Sequence, residues 1–145
     1  VDCDQEIEHR AGANIAWIFD VEGESGFRIR ESQVLDELTQ EDRVLVATGG
    51  GAVLKNENRS YLKERGIVVH LDTAVDLLVK RTANDKKRPL LQNGNPRVIL
   101  EKIKKDRDPL YREVSDVRVF VGDNSSRKAV SQILESLKRE GLTQD

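Results

Sequence analysis

Three short aliphatic runs, Val44-Leu45-Val46-Ala47, Ile67-Val68-Val69-His70-Leu71 and Val117-Arg118-Val119-Phe120-Val121, limit the possible folds most strongly. Their apolarity is nearly continuous rather than alternating. Such runs fit strands covered on both faces, as in a parallel sheet. Amphipathic stretches separate them. Residues 27–39 place Val34, Leu35 and Leu38 on one face, and residues 73–82 follow Asp72 as an N-cap with Val75, Leu78 and Val79 inward. Residues 97–107 set Ile99 and Ile103 one turn apart. Residues 125–140 turn Ala129, Ile133, Leu134 and Leu137 inward before Gly141 at a C-cap position. Strands joined through helices predict right-handed crossovers in one α/β sheet. Trp17 is expected in the core and His70 in strand-end packing.

A chain of 145 residues is expected to form a single domain, residues 1–145. Its net charge of −2 argues against nucleic-acid or anionic-membrane partners. One cysteine, Cys3, excludes an internal disulfide and favours a reducing, cytoplasmic setting. No apolar run approaches the roughly 18–20 residues that a membrane span needs. Residues 83–96, basic at one end and rich in Asn, Gly and Pro at the other, break the rhythm and read as a surface loop or lid.

Several residues have the chemistry of a site. Asp2 and Asp4, one residue apart, lie on one side of an extended backbone. Asp2 with Gln5 three residues on also resembles a capping box. The functional alternative gives one carboxylate to a metal ion, directly or through water, and the other to a hydroxyl proton. Gly49-Gly50-Gly51 follows an aliphatic run, and three glycines let a small ligand reach backbone N–H groups unobstructed. Glu31, three residues after Arg28, can orient its guanidinium for bidentate capture of a carboxylate. Arg107 continues the inward spacing of Ile99 and Ile103, with Pro109 expected to end the helix nearby. Lys80, Arg81, Lys86, Lys87 and Arg88 put five cations in nine residues. That run is either a solvated face or a lid closing over phosphates.

In order and spacing, Asp2-Cys3-Asp4-Gln5-Glu6-Ile7-Glu8, Phe27-Arg28…Glu31, Ala47-Thr48-Gly49-Gly50-Gly51, Lys87-Arg88-Pro89-Leu90-Leu91 and Arg107-Asp108-Pro109-Leu110-Tyr111 resemble shikimate kinase. The resemblance implies a three-layer P-loop NTPase fold, similar to nucleoside monophosphate kinases, with a parallel sheet flanked by helices. It implies transfer of the ATP γ-phosphoryl group to the 3-hydroxyl of shikimate with Mg²⁺, in the chorismate route to aromatic amino acids. Under it Asp4 binds the shikimate hydroxyls and serves as base, and Asp2 supports Mg²⁺ through water. Arg28 and Arg107 clamp the carboxylate, and Gly49, Gly50 and Gly51 line the same site. Arg88 reaches the phosphates, Arg81 lies near the adenine, and the segment around Ser125 passes that base. The complete protein is expected to be a monomer.

One departure is large. The family opens with a strand, a Gly-x-x-x-x-Gly-Lys-Ser/Thr loop and a helix, and no such loop occurs in these 145 residues. Together with the absence of any methionine, this leads to the expectation that the first βα unit is missing and turnover is slight. Two alternatives stay open: a non-catalytic shikimate-binding or regulatory domain of kinase fold, and a sibling kinase acting on another polyol such as gluconate.

Overall fold

The computed structural model describes residues 1–82, 94–122 and 125–143. They fall in two compact units, one ending at Gly66 and the other beginning at Ile67. The first unit is helical. Asp2 accepts from the backbone N–H groups of Asp4 and Gln5 (2.9 and 3.3 Å) and so caps α1 (Cys3–Ala11), which Gly12 closes at φ 68°. Its carboxylate satisfies donors that a helix start leaves without partners. The capping expectation for Asp2 is therefore met.

Asn14 caps α2 (Ile15–Leu38), which begins well before the expected residue 27. Gly23, at φ 72° and ψ 179°, breaks the helical path inside it. Across that break the Arg30 guanidinium grips Glu22 with two bonds of 2.7 and 2.8 Å. Gly23 and Gly26 weaken the local helix signal, which is why the first half of α2 is hard to see in sequence. That half turns Ile15, Ile18 and Phe19 toward the core. Trp17 lies off this face and is 50% exposed, so it is not a core residue.

The run Val44–Ala47 makes no strand. It forms one parallel bridge, Asp2 to Ala47, carried by Cys3 N–H to Ala47 O (2.9 Å) and Ala47 N–H to Val1 O (2.8 Å). Leu45 is 85% exposed. A ladder needs an extended partner, and here the partner turns into α1 after Asp2. The chain then enters a 3₁₀ turn, Gly50–Leu54, and α3 (Asn56–Arg65). Cys3, Ile7, Ile18, Phe27, Val34, Leu35, Leu38 and Ala52 make the core of this unit.

The second unit holds a two-stranded parallel sheet, β1 (Val69–Asp72) beside β2 (Val117–Phe120), with Val69 opposite Val117. Among the described residues three helices accompany it: α4 (Val75–Thr82), α5 (Pro96–Val114) and α6 (Ser126–Arg139). Asn95 caps α5, with Pro96 at its first turn. Pro109 does not end α5, which runs five residues beyond it to Val114. Pro109 and Lys105 are both exposed, so the carbonyl left without a donor faces water. Burial of Leu100 and Val114 on either side, and Tyr111 stacked on His70 at 4.4 Å between ring centroids, hold the helix across the proline. Ser125 caps α6 and Gly141, at φ 69°, follows its end. Leu134 is 51% exposed rather than inward, because Ser136 and Leu137 take the covered face.

Asp72 is not the N-cap of α4. Its buried carboxylate accepts from Lys104 Nζ at 2.7 Å and from the Arg118 guanidinium (Nε 2.9 Å). Burial alone would raise this carboxyl. The hydrogen bonds and charges of Lys104 and Arg118 outweigh that and hold it at about 2, below its ordinary 3.8. A depressed carboxyl stabilises the fold above its unfolded pKa, and that gain disappears as pH falls from about 4 toward 2. We expect Asp72 to contribute about 2 kcal/mol at neutral pH. Denaturant titrations should show Asp72→Asn less stable near neutrality and less acid-sensitive over that window. Parallel pH profiles for wild type and variant would refute this.

Candidate active site

In the first unit, residues far apart in sequence meet at the glycine triplet. Asp4 stands in the first turn of α1, two residues past its cap. A Cβ placed on Gly49 would lie 3.5 Å from Asp4 Oδ1 and 3.5 Å from Glu31 Oε2. A Cβ placed on Gly51 would fall on the guanidinium of Arg28. The bare backbone of the triplet is thus packed from one side by two carboxylates and from another by an arginine fork.

Arg28 and Glu31 are both buried on α2, and Arg28 Nη1 donates to Glu31 Oε1 at 2.7 Å. Nη2 makes a longer bond to Glu24 Oε1, 3.4 Å, and the guanidinium carbon sits 5.2 Å from the Phe27 ring centroid. Phe27 itself packs on Phe19. These contacts fix the plane of the fork and leave it further N–H donors. Arg28 Nε is buried and finds no hydrogen-bond partner among the described residues. A buried donor in that condition calls for an acceptor, and a planar guanidinium suits a carboxylate.

Cys3, next to Asp4, is buried and reduced. Burial first, then the negative charges of Glu31, Asp4 and Asp2, push its thiol up to about 12. A thiol so far from ionising is no nucleophile, so Cys3 belongs to the packing. The same charges show that Asp2, Asp4 and Glu31 share one electrostatic neighbourhood.

The structure therefore brings together Asp4, Gly49, Gly51 and Arg28, with Glu31 as the residue that orients Arg28. Gly50 opens the 3₁₀ turn between the other two glycines. The sequence motifs singled out Asp4, Arg28 and the triplet together with Arg107, which stands in the second unit. A family model described as shikimate kinase matches residues 1–138. The chain belongs to the shikimate kinase family. Its enzymes are kinases, transferases that take ATP as cosubstrate. A shikimate kinase of Shewanella amazonensis is 53% identical over 136 residues, covering 94% of this chain and 80% of that protein. One from Psychrobacter cryohalolentis is 54% identical over 137 residues, covering 94% and 74%. The structure of an Acinetobacter baumannii shikimate kinase, solved in complex with shikimate, superposes with a TM-score of 0.94. It is 48% identical, and the match covers 98% of this chain and 79% of that one. The chain accordingly has the α/β fold of that family, with a parallel sheet and helices.

Apart from Asp2, the other expected site residues that are described belong to the second unit. Arg107 is half-buried on α5 of the second unit, and Arg81, at the end of α4, donates to Gly122 O at 3.2 Å. Ser125 spends its hydroxyl on Lys128 N–H as the cap of α6. Arg88 and the lid expected at residues 83–96 lie outside the described residues as far as residue 93; residues 94–96 form the entry to α5. No described group of three or more His, Cys, Asp or Glu side chains is arranged to hold a metal. No described helix is long and apolar enough to cross a membrane. Two residues that sequence reasoning missed, Asn58 and Arg59, hold the 3₁₀ turn from α3; a polar helix start carries no motif that would have marked them.

Proposed function

We propose that this chain binds shikimate at Asp4, Arg28 and the Gly49–Gly51 triplet, presenting the 3-hydroxyl for phosphoryl transfer from ATP. The observation that carries the proposal is the packing of Asp4, Glu31 and Arg28 around the triplet. The shikimate complex of the Acinetobacter baumannii relative supports the choice of ligand. Arg28 takes the ring carboxylate in bidentate fashion, and the family resemblance gives Arg107 a share in the same carboxylate. Asp4 accepts the proton as the hydroxyl oxygen bonds to the γ-phosphorus. The bond from that phosphorus to the β,γ-bridging oxygen then breaks, giving shikimate 3-phosphate and ADP. Positioning and charge neutralisation supply most of the acceleration in such a step.

By the same resemblance, Arg88 neutralises the transferring phosphoryl group and Arg81 and Ser125 border the adenine. Asp2 is exposed, and its Oδ1 is engaged in capping. A carboxylate with an oxygen to spare suits Mg²⁺ held largely through water and phosphate, and that ion would neutralise phosphate charge when bound. Transfer requires a phosphate-cradling loop, which these 145 residues do not contain. A second reading, a shikimate-binding chain without turnover, would use the same residues Asp4, Arg28 and Gly49–Gly51.

Titration calorimetry with shikimate and a coupled assay for ADP release test both readings. We expect measurable binding by the 145-residue chain, and negligible ATP-dependent transfer as long as no phosphate-cradling loop is present. Turnover comparable to that of a complete shikimate kinase would overturn the second expectation. Absence of binding by a folded chain would overturn the first.

A further inference from the structure

The glycine triplet is conformationally permissive, yet Gly49 and Gly51 must meet Asp4, Glu31 and Arg28 closely. Something outside the triplet has to fix it. The 3₁₀ turn Gly50–Leu54 has only five residues, begins with two glycines and ends at Lys55 in extended geometry. The last carbonyls of a helical turn lack partners within it, and 3₁₀ hydrogen bonds are poorly aligned. Here each of the last three carbonyls accepts from a side chain of α3. Asn58 Nδ2 donates to Ala52 O at 3.0 Å. Arg59 Nη1 donates to Val53 O at 2.7 Å and to Leu54 O at 3.2 Å. Asn58 is 0% exposed, so its amide has been taken wholly out of water to make this contact.

We infer that Asn58 and Arg59 are positioning residues for the acceptor site. They grip the carbonyl end of the turn, and through it they set where Gly51 lies against Arg28 and Gly49 against Asp4. Neither side chain is assigned a contact with substrate. The inference rests on the reading that the triplet lines the shikimate site. Its chemical logic is independent of the ligand: a flexible, side-chain-free segment is made rigid by donors from the next helix, so its N–H groups are preorganised before binding. In Arg59 one nitrogen, Nη1, serves both carbonyls, while Nη2 reaches Asn56 Oδ1 at 3.4 Å and holds the guanidinium in place.

The test measures shikimate affinity and thermal stability on the full chain for Asn58→Ala, Arg59→Ala, Arg59→Lys and Asn14→Ala. Asn14→Ala removes the cap of α2 without touching the turn, and so reports what loss of stability alone does to binding. Losing the buried bond of Asn58 to the turn, or the two more exposed bonds of Arg59, should weaken shikimate binding about tenfold in Asn58→Ala and in Arg59→Ala. Arg59→Lys should recover part of that loss. Asn14→Ala should lower the melting temperature with affinity changed less than about twofold. Should Asn58→Ala fail to fold, the half-buried Arg59 pair of variants decides alone. Affinities within about twofold of wild type for the Arg59→Ala chain would overturn the inference. So would an Asn14→Ala chain weakened as much as Arg59→Ala at equal loss of stability. If folded wild type itself does not bind shikimate, the reading of the site fails first, and the inference falls with it.

Discussion

Gly51→Ala is expected to remove shikimate binding almost entirely, weakening it on the order of 100-fold or more. The backbone at Gly51 has no left-handed φ, so alanine is acceptable there on conformational grounds. The obstacle is steric: the new methyl would occupy the position of the Arg28 guanidinium. A flexible arginine tip on a surface would swing away at little cost. This one is buried, bonded to Glu31 at 2.7 Å and seated by Phe27, so it has nowhere to go without breaking its ion pair. Either the fork leaves its plane or the 3₁₀ turn backs away, and overpacking of this kind costs about 1–3 kcal/mol in stability. Gly49→Ala supplies the contrast, since its methyl would meet Asp4 and Glu31 at 3.5 Å, ordinary contact distance. Calorimetric affinities for the two variants should therefore differ by more than tenfold, Gly51→Ala being the weaker. Equal affinities would show that Arg28 does not bind the ligand from its observed position.

The second large effect concerns the Arg28–Glu31 pair. Replacing Arg28 with methionine removes the bidentate fork and takes a cationic partner from a carboxylate whose side chain is 2% exposed. Breaking a buried pair by deleting one partner costs about 3–5 kcal/mol, because the remaining charge keeps its desolvation penalty. Adding Glu31→Gln neutralises that charge and should restore most of the lost stability, as shown by chemical denaturation. Binding should not return, because neither methionine nor glutamine can present a planar cation to a carboxylate. The double variant thus separates the pair's structural role from its ligand role. A double variant that regained shikimate affinity along with stability would mean that Arg28 acts through the fold alone.

Much of the first unit was legible residue by residue. Asp2 and Gln5 announced a helix start, and the spacing from Phe27 to Glu31 put Arg28 and its partner on neighbouring turns. The motifs named the residues that gather at the triplet. Trp17 was misplaced because Gly23 and Gly26 hide the first half of α2, and without that helix the face of Trp17 has no meaning. Asp72 looked like a cap because an acid before a helix usually is one. Whether Lys104 and Arg118 would be near enough to claim it depends on how α5 and β2 pack against β1. Pro109 was read as a stop for a similar reason: local propensity disfavours it, while packing around Leu100, Tyr111 and Val114 outweighs one missing bond.

From the chain of residues alone came the cap at Asp2, the apolar positions Val34, Leu35 and Leu38 of α2, and the pairing of Arg28 with Glu31, since these depend on neighbours within a turn. Tertiary structure alone decided that Val44–Ala47 would keep a single bridge instead of a ladder, that Arg28 would be buried against Gly51, and that Asn58 and Arg59 would hold the turn between them. Those outcomes depend on which surfaces distant segments offer one another. Pairing and desolvation are settled by partners that local sequence does not specify.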